Sequence, residues 1–304
     1  MISEPHPIEI FIPEIRSLIA ARKLDELKDL LSAINPIDLA DGFDRFPQEQ
    51  QLLLIRLLSS GKAIEVFEEL DVQPLEGYDL VLPMCEAPAR ITRLAAAAAK
   101  GGPALWVNPP AAVLACYRAS MIPRLAEAPG VGLPPSEVRL VAEGAGVPPS
   151  TPAPEGWWLK RGDVHNTCDR DVVRAPRWSD VPAVLADFAR REIRHWVVQP
   201  HVAGDLVKFY GTGPGRWFTW FYHDPVRARR TPFDLDALAD AAARGARALG
   251  LEVFGGDAII GAGGTVTLID LNSWPSFALV RRGAAVQISW HLQRRLKTAL
   301  QRTP

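Results

Sequence analysis

The sequence predicts an α/β chain of the α+β kind, preceded by a small all-α helical-repeat domain. Three observations lead there. Up to about residue 72, Ile and Leu recur at helical intervals among Lys and Glu. From Tyr78 onward, short apolar runs alternate with Ala-rich segments, as in strands layered with helices. Near the C-terminus, two apolar runs carrying oxygen-bearing side chains are joined by Gly261-Ala262-Gly263-Gly264, the pattern of a β-hairpin.

Composition bounds the rest. The chain has 304 residues, 48% of them hydrophobic and 23% charged, with a formal net charge of -1. That is enough for one large or two medium globular domains. A near-neutral balance argues against a nucleic-acid surface as the main business of the chain, so no nucleic-acid partner is expected. Cys85, Cys116 and Cys168 are scattered without metal-ligand spacing, which suits a reducing compartment. No apolar stretch approaches the ~20 residues of a membrane span, and the N-terminus has acids and prolines where a signal peptide has a basic start. A cytoplasmic protein is expected.

Composition shifts at Asp71 to Pro74, from Ile, Leu, Lys and Glu to Ala, Arg, Pro and Gly. This suggests domains at residues 1–72, 73–128 and 129–304. In the first, Pro13 to Ala33 carries Ile15, Leu18, Ile19, Leu24, Leu27, Leu30 and Leu31 at near-helical intervals, and Pro36 and Pro47 can each open a further helix. Such helices pack on one another, or on a protein partner, rather than hold chemistry. In the second, Asp79 to Pro83 reads as a strand, Ala87 to Lys100 as a helix stopped by Gly101-Gly102, and Ala111 to Ala126 as a helix. Pro129 to Gly156, thick in Pro and Gly, reads as loops. Strands follow at Trp157 to Lys160, Trp196 to Gln199, Leu206 to Tyr210 and Arg216 to Tyr222. Helices are expected at Val181 to His195 and at Pro232 to Leu249, the latter with Asp234 and Asp236 in its first turn and Gly250 as its stop.

The hairpin carries the chemistry. If Ile260 faces Thr265 across the glycine turn, Asp257 lies opposite Leu268 and diagonal to Asp270, and diagonal neighbours on one face are only ~7–8 Å apart. Asn272 follows by two residues and shares that face. Two carboxylates and an amide are hard oxygen ligands, sufficient for a nucleotide-bound magnesium ion that keeps waters and phosphates in its shell. The alternative is a hairpin whose acids are merely solvated, but flanking apolar residues should bury them, and buried carboxylates need partners. Beyond Gln73 the only lysines are Lys100, Lys160, Lys208 and Lys297, although arginine is abundant. Lysine kept in such a segment suggests a compact ammonium on a phosphate.

From residue 78 to 304, the order of these motifs resembles the ATP-grasp family. "GWWLKRGDVH" contains the strand lysine Lys160; "HWVVQPHVAGDLVKFYG" resembles the linker strand that meets adenine, with Gln199, His201 and Val202, followed by a substrate-side Lys208. "LGLEVFGGDAII" and "LIDLNSWPSF" resemble the metal strands, and "NPPAAVLACYRASMIPRL" the preceding segment, with Arg118 near the phosphates. The resemblance implies an ATP-grasp fold with a truncated pre-ATP-grasp layer, ATP and Mg2+ as cofactors, and a small anionic acceptor. Within that superfamily the chain is most similar to inositol trisphosphate 5/6-kinases, which share the Asp-x-Asn ending and a histidine five residues after the strand lysine, here His165. It departs from them at Arg170, at Ser276 and in the missing opening strand and helix. Residues 8 to 72 resemble the helical cytoplasmic N domain of MgtE-type magnesium transporters.

Phosphoryl transfer requires positioning and positive charge rather than a covalent partner. On this reading Lys160 and Arg118 hold α- and β-phosphates, and metal on Asp257, Asp270 and Asn272 bridges β and γ. His165 and Lys208 face the acceptor, His165 either neutral on a hydroxyl or charged on an anion. Arg216, Arg227, Arg229 and Arg230 offer a basic cluster to an acceptor phosphate, or a solvated loop. The first expectation is a kinase acting on the hydroxyl of a small anionic, polyol phosphate-like acceptor. A carboxylate-amine ligase working through an acyl phosphate is the second. A nucleotide-binding regulatory module without catalysis is the third.

Overall fold

The computed structural model describes residues 7–69, 78–85, 87–100, 105–164 and 166–301. The composition change at Asp71 to Pro74 and the Gly101-Gly102 stop lie outside the described residues. The chain divides into two units, Met1–Pro74 and Leu75–Pro304.

The first unit is helical: α1 (Ile12–Ala20), α2 (Leu24–Ala33), α3 (Pro36–Asp41), α4 (Gln48–Leu57) and α5 (Ser60–Glu69). Ile15, Leu27, Leu31, Leu39, Leu54 and Val66 form its buried core. The helical spacing from Pro13 to Ala33 is that of two helices, not one, because Arg22 turns into the left-handed region at φ 53. Asn35 caps α3, its side chain accepting from the Ile37 N–H at 2.9 Å, with Pro36 in the first turn where no N–H is needed. Lys62 of α5 donates to the carbonyls of Ser32 and Ile34, satisfying the frayed end of α2.

The second unit opens with β1 (Leu80–Val81), α6 (Pro88–Ala99) and β2 (Leu105–Trp106), the two strands parallel. The segment expected as one helix from Ala111 is α7 (Pro110–Ala115) and α8 (Arg118–Ala126). Extended backbone at Tyr117, φ -67 and ψ 130, breaks them and puts Arg118 at the start of α8. The Pro/Gly-rich stretch is not all loop. It contains β3 (Glu137–Leu140), followed by β4 (Trp157–Arg161), β5 (Val172–Ala175), α9 (Val181–Arg190) and β6 (His195–Pro200). These strands form a sheet in the order β3-β6-β4-β5, with all its pairs antiparallel. Trp157, Leu159, Phe188 and Trp196 fill the core between this sheet and α9.

The remaining elements are β7 (Asp205–Thr212), β8 (Trp217–Tyr222), α10 (Leu235–Leu249), β9 (Val253–Ile260), β10 (Val266–Ser273) and α11 (Arg281–Leu300). The second sheet runs β10-β9-β7-β8. Val207, Phe209, Ala258, Leu268 and Leu271 face α8 and α10 in the largest core. Asp234 caps α10, and Gly250 ends it at φ 76, a left-handed position suited to glycine. Among the described residues no helix is long and apolar enough to cross a membrane.

The hairpin register differs from expectation. Ile260 pairs with Val266, and a β-bulge between Leu268 and Asp270 brings Asp257 directly opposite Asp270. The extra residue is Ile269. It lets Leu268 and Leu271, three apart, both face the core while Asp270 and Asn272 turn to the other side.

Candidate functional site

The alternation of β7, β9 and β10 sorts the sheet into a core face and a polar face. On the polar face, Lys208 lies opposite Asp257, and Asp257 opposite Asp270. Directly opposed side chains have Cβ atoms about 4.5–5.5 Å apart, and two like charges at that spacing repel. The structure offsets this with cations. Lys208 Nζ donates to Asp257 Oδ1 at 2.9 Å, and the Arg118 guanidinium donates to Asp270 Oδ2. Arg118 is 3% exposed and Asp270 8%, so the latter is a buried pair whose disruption leaves an uncompensated charge.

Lys160 arrives from β4 in the other sheet. It is 6% exposed, and its ammonium donates to the Ile269 carbonyl, the bulge residue, at 3.3 Å. Burial, with Arg118 beside it, pushes its pKa down to about 8 against the opposing pull of Asp270 and Asp257.

Asn272 Oδ1 is buried and accepts no hydrogen bond among the described residues. Leaving such an acceptor unpaired costs about 1–3 kcal/mol. Among the described residues no three His, Cys, Asp or Glu side chains converge as a metal cluster. The oxygen set is two carboxylates and this orphaned amide, a donor chemistry that fits magnesium.

At one end of the site, Trp158 shares the face of Lys160 on β4 and lies opposite Gln199. Its indole N–H donates to His201 Nδ1 at 3.0 Å, and the Gln199 side chain donates to Ser136 at 2.8 Å. The His201 N–H donates to the Gly156 carbonyl, and Val202 is half-buried in the linker to β7. These groups lie two residues along β4 from the lysine.

The geometry brings Arg118, Lys160, Lys208, Asp257, Asp270 and Asn272 together. Gln199, His201 and Val202 lie at the Trp158 end of the site, and the other described candidates are exposed. His165 lies outside the described residues. Arg170 is exposed and paired with Asp187 at 3.0 Å, Ser276 is exposed in the loop after β10, and Arg216 is exposed at the β7–β8 turn. The length of β8 separates Arg216 from Arg227, Arg229 and Arg230, so the basic cluster expected from the sequence is two separate places. Backbone N–H groups of Arg229 and Thr231 instead anchor on buried Asp205. Sequence reasoning missed Asn166, whose Oδ1 accepts from Arg118 Nη1 at 2.7 Å and steadies it. Its only signal was its place in the loop after the strand lysine.

No protein-family model and no curated protein matches the chain. Solved structures do. The chain resembles a RimK domain ATP-grasp protein from Sphaerobacter thermophilus at 20% identity and a TM-score of 0.55, over 74% of this chain and 86% of that one. It resembles D-cycloserine synthetase DcsG at 17% identity and a TM-score of 0.52, over 72% of this chain and 84% of that one. Two sheets meeting over a buried lysine and opposed carboxylates, together with these likenesses, make this the mixed α/β ATP-grasp fold.

Proposed function

We propose that the chain is an ATP- and magnesium-dependent ligase, which activates a carboxylate as an acyl phosphate and passes the acyl group to an amine. The carrying observation is the convergence of three cations, Arg118, Lys160 and Lys208, on two facing carboxylates and an unpaired amide oxygen. Charge of this kind stabilises a migrating phosphoryl group. The name of the synthetase neighbour supports a ligase over the kinase placed first from the sequence. So does the placement of Arg170 and Arg216, both exposed and away from Lys208, where a phosphorylated acceptor would need them.

Lys160 and Arg118 hold the α- and β-phosphates. Asp257, Asp270 and Asn272 would hold magnesium, which would supply a Lewis acid for the transferring phosphoryl group. Lys208 holds the acceptor. A carboxylate oxygen attacks the γ-phosphorus and ADP leaves; the amine then attacks the acyl carbon and phosphate leaves. Water exclusion follows from the burial of Lys160, Arg118 and Asp270.

A kinase remains the second reading, favoured by the Asp at 270 and by the Lys160–His165 spacing. The products discriminate. A ligase releases ADP and free phosphate only when acid and amine are both present, a kinase gives ADP and a phosphomonoester without amine, and a regulatory module gives neither. The likenesses of residues 8 to 72 to the MgtE N domain and of the second unit to inositol kinases rest on sequence motifs alone. We assign the first unit to a protein partner. None of Cys85, Cys116 and Cys168 forms a disulfide, in keeping with a cytoplasmic location.

A further inference from the structure

The polar face of the second sheet has an order along its strands. On β7 it presents Leu206, Lys208, Tyr210 and Thr212, and across from them β9 presents Ile259, Asp257, Gly255 and Val253. The linker at His201 feeds the Leu206 end, where the Trp158 indole donates to His201. The carboxylates sit one step further on. The next step, Tyr210 opposite Gly255, is ~7 Å beyond Lys208 and therefore on the far side of the phosphates from the base. That is where an acceptor must sit for in-line transfer away from ADP.

This step is aromatic. Tyr210 meets Phe277 with ring centroids 5.0 Å apart and Phe221 at 5.7 Å, both tilted at 50°. Phe221 lies directly opposite Lys208. All three rings are partly exposed. Gly255 leaves the space they need, because a Cβ there would stand 2.8 Å from Tyr210 Cδ1 and 2.6 Å from Pro275 Cγ. Phe277 also packs on the Leu105, Val107 and Val253 core, which fixes the edge of the patch. The neighbouring positions on this face, Thr219, Gly255 and Asn272, carry no charge.

We infer that the acceptor is a carboxylic acid bearing an aromatic or large apolar group, its carboxylate at Lys208 and its side group on Tyr210, Phe221 and Phe277. A polyol phosphate would find one ammonium and three rings. An aromatic acid finds one counter-ion and ring faces at stacking distance. The inference rests on the ligase reading and narrows it to a substrate class.

The test uses the full chain with ATP, Mg2+ and hydroxylamine, which traps an acyl phosphate as a hydroxamate whatever the natural amine. Phenylacetate, 3-phenylpropionate, L-phenylalanine and L-leucine are compared with glycine, succinate and L-glutamate. The apolar acids are expected to give hydroxamate at lower KM, and Tyr210→Ala and Phe277→Ala each to raise that KM about tenfold, with the KM for ATP as internal control. Two variants on different elements, each checked by tryptophan-fluorescence melting, separate lost contact from lost fold. Hydroxamate from the hydrophilic acids alone, or an unchanged KM in both variants, overturns the inference and leaves the ligase reading standing. No hydroxamate from any acid overturns both.

Discussion

Replacing Lys160 by methionine should make the second unit more stable and unable to hold nucleotide. The wild-type ammonium is 6% exposed, and burial is the main reason its pKa falls from 10.5 to about 8. At ~1.4 kcal/mol per pKa unit that difference is about 3 kcal/mol of folding free energy. The unfolded chain keeps the proton more readily than the fold does, so the penalty is complete below pH 8 and fades as pH rises towards 10.5. Methionine has a similar shape and no charge, and its loss of the bond to the Ile269 carbonyl costs ~1 kcal/mol. A net gain of about 2 kcal/mol at pH 7 is expected, with no gain at pH 10.5. Urea unfolding followed by tryptophan fluorescence reads this cleanly, because all nine tryptophans, from Trp106 to Trp290, lie in the second unit. The measurement is made in EDTA without nucleotide, and ATP affinity is titrated separately. A variant less stable at pH 7, or one that binds ATP as wild type does, would refute the assignment of Lys160 as a buried charge kept for phosphate.

Other outcomes follow from the same geometry. Asp270→Ala strands buried Arg118 and should cost about 3–5 kcal/mol in urea unfolding, whereas half-exposed Asp257→Ala should cost far less; both should abolish magnesium-dependent turnover. Burial pushes the Glu252 carboxyl up, but hydrogen bonds from His291 and Arg295 outweigh it and hold the group below its usual 4.5. Its stabilising contribution is present above that value and is lost as pH falls through the lowered one. Glu252→Gln should therefore be less stable at pH 7 and show a flatter loss of stability below about pH 4.5 in acid titration. Gly256→Ala would drive a methyl into the Asp270 carbonyl oxygen and to within 2.6 Å of the Phe209 ring, so it should lower the melting temperature and disturb the hairpin together. An unchanged melt would contradict that packing.

Much of the site was legible because its parts are chemically loud. Asp257, Asp270 and Asn272 stand at the ends of apolar runs, and Lys160 and Lys208 are lysines in a segment that otherwise uses arginine. The fold followed from the order of those motifs. The register did not, because side-chain alternation says which residues share a face but not which partner each meets. The only trace of the bulge is the spacing of three between Leu268 and Leu271 in an otherwise alternating run. Strand β3 was missed because four residues, Glu137 to Leu140, are too few to show a period between prolines and glycines. The break before Arg118 was missed because Cys116 and Tyr117, where the backbone turns extended, carry no turn signal. The aromatic patch was hidden by identity: Tyr210, Phe221 and Phe277 read like core residues until the sheet shows which side they face.

Ile269 makes the two halves of the hairpin disagree in parity. Between the turn and Leu268 one set of side chains is inward; beyond Ile269 the opposite set is, and every ligand on β10 lies in the second half. Deleting that single residue would restore a regular ladder with Asp270 and Asn272 still on the polar face, and would remove the local bend and the carbonyl that holds the Lys160 ammonium. Chain length at this spot is thus as decisive as residue type. An insertion at the exposed Gly263 tip is absorbed there, while one between Leu268 and Asp270 enlarges the bulge or slides Asp270 out of its pairing with Asp257.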